Sequence, residues 1–265
     1  MPVGTIFIGY GFNKMKLFNK KSKSHPIIPL TSEQWAEHYN PSQLESLVDN
    51  LAHCHLSWQT KEMLKLSKPG EKILEIGSGS SATSLYLALN GRNCTALDFA
   101  QPCLDLAQQA AVRLNCSIKT VFADATRELP FAVNEFDIVF QAGLLEHFQK
   151  HGRISLLRLW GQVSRRMVSM IPNAASLSYR VGKSLMEKAG KWEYGLELPQ
   201  YTLQQEFADA GFRVIEEYTI GEEHSLSFLP SKHYLRIAIK KWIKENPCDD
   251  NCGQGYLLVT IGEKI

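Results

Sequence analysis

The stretch KILEIGSGSSATSLYLALN, residues 72–90, constrains the fold more than any other part of the chain. A run of β-branched and apolar residues breaks into Gly77-Ser78-Gly79, and the apolar spacing then changes from a period of two to one near 3.6. That order is strand, tight glycine turn, helix, and it predicts one βα unit with Gly91 just past the helix end. The change repeats downstream. NCTALDF, SIKTVFAD, FDIVFQAG and RMVSMIP read as strands, with helical patterns between most of them. Such alternation predicts a mostly parallel sheet with helices on both faces. A helix in TLQQEFADAGF, a strand in RVIEEYTI and a last strand in GYLLVTI complete the pattern.

Three regions follow from this layout. Residues 1–30 form a basic leader with Lys14, Lys16, Lys20, Lys21 and Lys23 and no acid before Glu33, and it is expected to be loosely ordered. Residues 31–68 read as N-terminal helices, with Thr31 or Ser32 as N-cap, Pro41 as a break and Leu44, Leu47, Leu51 and Leu56 near helical spacing. Residues 69–265 hold the α/β domain, interrupted at 172–200 and 221–254 by inserts long enough to cap a site. The 44% hydrophobic and 21% charged content is that of an ordinary globule. A net charge of +2 gives no reason to expect a nucleic-acid partner, and six scattered cysteines suit reduced thiols in a cytoplasmic protein.

The glycine turn brings backbone N–H groups close to a ligand, and Asp98 at the end of the second strand suits two ribose hydroxyls. NAD and S-adenosylmethionine both carry that ribose, so Gly77, Gly79 and Asp98 leave the two open. A second acid, Asp124 in FADA, and the QAGLLEHF segment after the fourth strand separate them. Together KILEIGSGSS, ALDFA, FADA, FDIVFQAGLLEHF and YTLQQEFADAGF resemble the motifs of class I S-adenosylmethionine-dependent methyltransferases, most of all the ubiquinone and menaquinone branch. The resemblance implies a Rossmann-like sheet of seven strands in the order 3-2-1-4-5-7-6 with the seventh antiparallel. It implies S-adenosylmethionine as cofactor and S-adenosylhomocysteine as product. Gly77, Ser78 and Gly79 would pass under the methionine moiety, with Glu75 orienting the turn and the amino group. Asp98 would hold the ribose and Phe99 would pack on the adenine, with Asp124 and Ala125 at its edge. Gln141 and Ala142 would line the sulfonium end, and Tyr39 would lid the site. GQVSRRM replaces the family's usual Pro-Gly-Gly turn before the fifth strand.

On the acceptor side, His147 is the candidate base, because it follows the fourth strand and imidazole titrates near neutral pH; bracing of the loop is its structural alternative. Glu146 reads as a helix N-terminal acid. Tyr179, Tyr194 and His224 are further candidates from the inserts. The acceptor expected is a small molecule or short peptide, methylated at O, N, S or C by in-line displacement. Two rivals stand beside this reading: a short-chain NAD(P)-dependent oxidoreductase using Tyr179-x-x-x-Lys183, and a non-catalytic S-adenosylmethionine-binding protein. No metal site is expected, since His53, His55, His147, His151 and the pair Cys248/Cys252 lack the ligand spacing. Pro102-Cys103 follows the second strand, whereas the nucleophile of cytosine methyltransferases follows the fourth. In residues 232–245, Leu235, Ala238, Ile239 and Trp242 form an apolar face beside Lys232, Arg236, Lys240, Lys241 and Lys244. Packing on the sheet or over the pocket is the expectation, with peripheral membrane contact as the alternative.

Overall fold

A computed structural model of the protein describes residues 31–246 and 253–265. The leader and the pair Cys248/Cys252 lie outside the described residues. Three helices come first: α1 (Ser32–His38), α2 (Leu44–Ala52) and α3 (Trp58–Leu66). Thr31 caps α1 in a capping box, its hydroxyl accepting from the Gln34 amide while the Gln34 side chain accepts from the Thr31 amide. The leucine pattern of 44–56 is not one helix. Cys54 takes a φ of 57° and the chain turns there, so Leu47 and Leu51 face the core from α2 while Leu56 lies in the link.

The α/β domain then runs β1 (Lys72–Ile76), α4 (Ala82–Leu89), β2 (Asn93–Asp98), α5 (Gln101–Arg113), β3 (Lys119–Phe122), β4 (Phe136–Ala142), α6 (Lys150–Trp160) and β5 (Ser164–Pro172). The first insert carries α7 (Leu177–Lys188). After α8 (Gln204–Asp209) and β6 (Phe212–Ile220), the second insert carries α9 (Glu222–Ser227) and α10 (Tyr234–Glu245), and β7 (Leu257–Lys264) closes the chain. The seven strands lie in the order β3-β2-β1-β4-β5-β7-β6, and β7 runs antiparallel to both neighbours. The sheet thus has the expected order, and β5 starts three residues after α6 without a Pro-Gly-Gly turn.

Alternation along the strands divides the core in two. Leu74, Ile76, Met167 and Leu258 face one layer with Trp160, Phe207 and Phe212. Ile73, Phe140, Val168 and Val259 face the other with Met63 and Leu87. Both sheet faces are therefore covered, and the carboxyl edge of β1, β2 and β4 is where a ligand can enter. Among the described residues no helix is long and apolar enough to cross a membrane.

The α10 helix departs from its expected face. It packs on α7 and α9 through Ile239, flanked by the half-buried Leu235 and Ile243, and not on the sheet. Ala238 and Trp242 point outward with Tyr234 and Ile237. Spacing alone allowed either stripe, and the partner helices chose the one four residues apart.

Candidate active site

The turn after β1 is held by its neighbour strand. Gly77 and Ser78 amides donate to the Leu97 carbonyl at 2.9 and 3.1 Å. The Gly79 amide donates to Asp98 Oδ2, and the Ala100 amide to Asp98 Oδ1, each at 2.9 Å. Asp98 is buried, and burial raises its pKa against those amides, which pull it down. Gly77 and Gly79 have φ of 66° and 49°, in the left-handed region that side chains avoid. A Cβ on Gly79 would also stand 2.9 Å from Tyr39 Cε2, so the Tyr39 ring rests directly on the turn. Glu75 acts from below. Its Oε2 accepts from the Ser84 amide at 3.1 Å and the Ser84 hydroxyl at 2.6 Å, which caps the first turn of α4. Burial pushes its carboxyl up to about 7.

A cleft of about 570 Å³ opens above this turn. Tyr39, Glu75, Gly77, Ser78, Gly79, Asp98, Phe99 and Ala142 line it together with His147, Tyr194 and His224. The structure thus brings most of the expected site residues into one wall. Of the cofactor-side residues, three stand elsewhere. Asp124 turns its carboxylate to the Thr126 amide and hydroxyl and to Arg127, Ala125 packs against the core and takes the Trp160 indole N–H on its carbonyl, and neither lines the cleft. Gln141 is fully buried; it donates to Ser169 Oγ at 2.6 Å and accepts from the Leu144 amide at 2.8 Å, so it ties β4 to β5 and supports the next turn.

The acceptor-side candidates sort similarly. His147 Nδ1 meets the Leu196 carbonyl, joining the turn after β4 to the first insert. Burial lowers its pKa, and the Leu196 and Gly143 carbonyls oppose this. Tyr179 is fully buried behind the cleft and donates to Glu197 Oε2, while Lys183 pairs with Glu187 and lies 4.4 Å over the Trp192 ring. The Tyr-x-x-x-Lys pair of a dehydrogenase is therefore spent on two carboxylates. Tyr194 stacks on His38 at 5.7 Å, closing α1 against the insert. His224 packs on Tyr256 and Phe228, and burial lowers its pKa.

The lining residues not singled out for the site by sequence include Trp35, Glu146, Glu197 and Tyr256. Glu146, read as a helix N-terminal acid, lies in the first turn of a short 3-10 helix (Leu145–His147) and is almost fully buried. Its Oε2 has no hydrogen-bond partner among the described residues. Glu197 stands beside it in the same wall. The one signal that pointed to Glu197 is an acid set between apolar residues in GLELP. Among the described residues no group of three or more His, Cys, Asp or Glu is placed to hold a metal ion.

Comparison with known proteins agrees with this geometry. Residues 73–166 match the family model described as a methyltransferase domain. A demethylmenaquinone methyltransferase of Corynebacterium glutamicum (strain R) is 27% identical over 180 residues, 58% of this chain and 75% of that protein. Phosphoethanolamine N-methyltransferase 3 of Arabidopsis thaliana is 30% identical over 89 residues, 33% of this chain and 18% of that protein. Among solved structures, a SAM-dependent methyltransferase from Aquifex aeolicus superposes with a TM-score of 0.53 at 13% identity, covering 89% of this chain and all of that one. The [4+2]-cyclase SpnF superposes with a TM-score of 0.56 at 16% identity, covering 91% and 98%. The last two likenesses concern the fold alone. The sheet, the glycine turn and the sequence matches define a Rossmann-like methyltransferase domain. Over residues 73–166 in sequence, and over most of its length in fold, the chain is similar to the S-adenosylmethionine-dependent methyltransferases.

Proposed function

We propose that the protein moves a methyl group from S-adenosylmethionine to a nucleophilic atom of a small molecule enclosed in the cleft. The observation that carries this reading is the continuity of one wall: the Gly77–Gly79 turn, clamped by Asp98, opens into the same cleft as His147, Tyr194 and His224. The residues present suit the cofactor. Gly77 and Gly79 keep side chains off the turn at positive φ, Tyr39 covers it, and Phe99 offers a partly exposed ring beside Asp98.

Bound there, S-adenosylmethionine supplies a methyl group already activated by its sulfonium. The chain has to bind, orient and exclude water, and alignment of that kind is worth on the order of 7–11 kcal/mol in favourable cases. In this reading the glycine turn backs the methionine moiety and Asp98 accepts from the ribose hydroxyls. Tyr39 and Trp35 cover the cleft from α1. A neutral His147 that donates from Nδ1 to Leu196 keeps a lone pair on Nε2. That nitrogen is the one we assign to take a proton from the acceptor. The demethylmenaquinone and phosphoethanolamine relatives both carry names of small-molecule methyltransferases, which supports an acceptor of that size.

Calorimetry with S-adenosylhomocysteine and NAD tests the reading, with Asp98→Ala as the control. The wild type is expected to bind S-adenosylhomocysteine and not NAD. The variant loses a carboxylate that takes two amides, and a fall of roughly 10–150-fold in affinity is expected from bonds of about 1.5–3 kcal/mol. Binding of NAD alone, or an unchanged affinity in the variant, would refute the assignment.

A further inference from the structure

The charge of the cleft wall is one-sided. Glu75, Asp98, Glu146 and Glu197 line it, and among the described residues no Lys or Arg does. The first two already serve the glycine turn and α4. The other two stand at the acceptor end, beside His147. Burying two carboxylates side by side is costly unless a cation or hydrogen bonds compensate. Glu197 has two compensations, the Tyr179 hydroxyl and the charge of Lys183. Glu146 has an oxygen with no partner although the residue is only 2% exposed. Lys183 pairs with Glu187, lies over the Trp192 ring and does not line the cleft, so only its charge reaches Glu197. Rings complete the end: Tyr194, Tyr256 and Trp35 also face the cleft. Carboxylates set among aromatic faces attract an organic cation, through charge at the first and through the ring quadrupole at the second.

We propose that Glu146 and Glu197 form the recognition site for a cationic amine, and that this amine is the acceptor of the methyl group. The inference rests on the function proposed above and narrows it to nitrogen. An ammonium held there has to expose its lone pair. Its proton passes from the nitrogen to Nε2 of His147, and the imidazolium formed stands next to the same two carboxylates. The nitrogen is then neutral and nucleophilic. A phosphate or carboxylate on the acceptor would meet the two acids at this end, and among the described residues no Lys or Arg lines the cleft to receive it.

Three probes of one shape test the inference: phenethylamine, 2-phenylethanol and phenylacetate, titrated calorimetrically into protein saturated with S-adenosylhomocysteine. The amine is expected to bind at least about tenfold more tightly than the alcohol, and phenylacetate not at all. Glu146→Gln and Glu197→Gln are each expected to shrink the amine-to-alcohol preference by about tenfold, with the thermal unfolding curve confirming that the variant is folded. Each variant tests the site separately, and the probe series on the wild type needs neither. Equal binding of amine and alcohol, tighter binding of phenylacetate, no binding of the amine, or a preference unchanged in both folded variants would overturn the inference. Binding of S-adenosylhomocysteine in the same cell separates the two readings: if it persists while the amine preference is absent, only the amine site falls. If it is absent too, the function proposed above falls with it.

Discussion

Glu75→Gln tests whether the acid beneath the glycine turn is held ionised against its own burial. The carboxyl is 6% exposed, and burial lifts its pKa from 4.5 to about 7 although the Ser84 hydroxyl and amide both pull it down. The folded protein therefore holds this proton more tightly than the unfolded chain. The resulting stabilisation is complete below pH 4.5 and is lost as the pH rises through about 7. At about 1.4 kcal/mol for each pH unit of that interval, the loss reaches about 3 kcal/mol by pH 8.5. Gln has the shape of the protonated acid, keeps an oxygen for Ser84 and does not titrate. The variant should exceed the wild type by about 3 kcal/mol at pH 8.5, and by less than about 1 kcal/mol at pH 5. In a chain of this size that is an upward shift of melting temperature of roughly 5–10 °C at the higher pH. Urea unfolding followed by tryptophan fluorescence at both pH values measures the difference directly. If Glu75 orients the glycine turn through α4, calorimetry on the same samples should show weaker S-adenosylhomocysteine binding by the variant. A variant less stable than the wild type at pH 8.5, or a gap that does not change with pH, would refute the reasoning.

Two further substitutions probe the frame of the cleft. Gly79→Ala places a Cβ 2.9 Å from Tyr39 Cε2 at a φ of 49°; a cost of about 1–2 kcal/mol from the backbone alone is expected, with weaker cofactor binding. Adding Tyr39→Ala should remove the clash, so a thermal double-mutant cycle that comes out additive would sink the contact. Arg153→Ala strips the buried guanidinium that donates to Glu206 at 2.7 Å, Gln200 at 3.0 Å and the Phe148 carbonyl at 2.8 Å. Leaving Glu206 buried and unpaired should cost about 3–5 kcal/mol by denaturant unfolding, and a loss below about 1 kcal/mol would contradict it.

The sheet was legible because each strand announces itself by a change of period and each βα link by its turn residues. Glu75, the glycines and Asp98 share that clarity, since they occupy fixed places at strand ends. Asp124 and Gln141 occupy equally fixed places, yet local partners capture them. Thr126 and Arg127 follow Asp124 within one turn, and Ser169 stands on the neighbouring strand opposite Gln141. A strand-end position brings a side chain near the cleft; whether it faces in depends on what else within reach can bond it.

The acceptor end follows a different rule. Trp35 comes from α1, Glu146 from the turn after β4, Glu197 from the first insert, His224 from the second and Tyr256 from the approach to β7. No spacing connects these positions, because they come from five separate segments of the chain. The first insert is pinned by the Leu198 amide on the Glu146 carbonyl at 2.8 Å and by His147 on Leu196. Those two bonds set Glu197 beside Glu146. The acid pair is therefore a product of backbone docking between two segments some fifty residues apart. The glycine turn and Asp98 are fixed by the sheet and can be shared across a family. The acid pair depends on how one insert seats, so under the amine site proposed above acceptor choice rests on the insert's anchoring residues as much as on the carboxylates themselves.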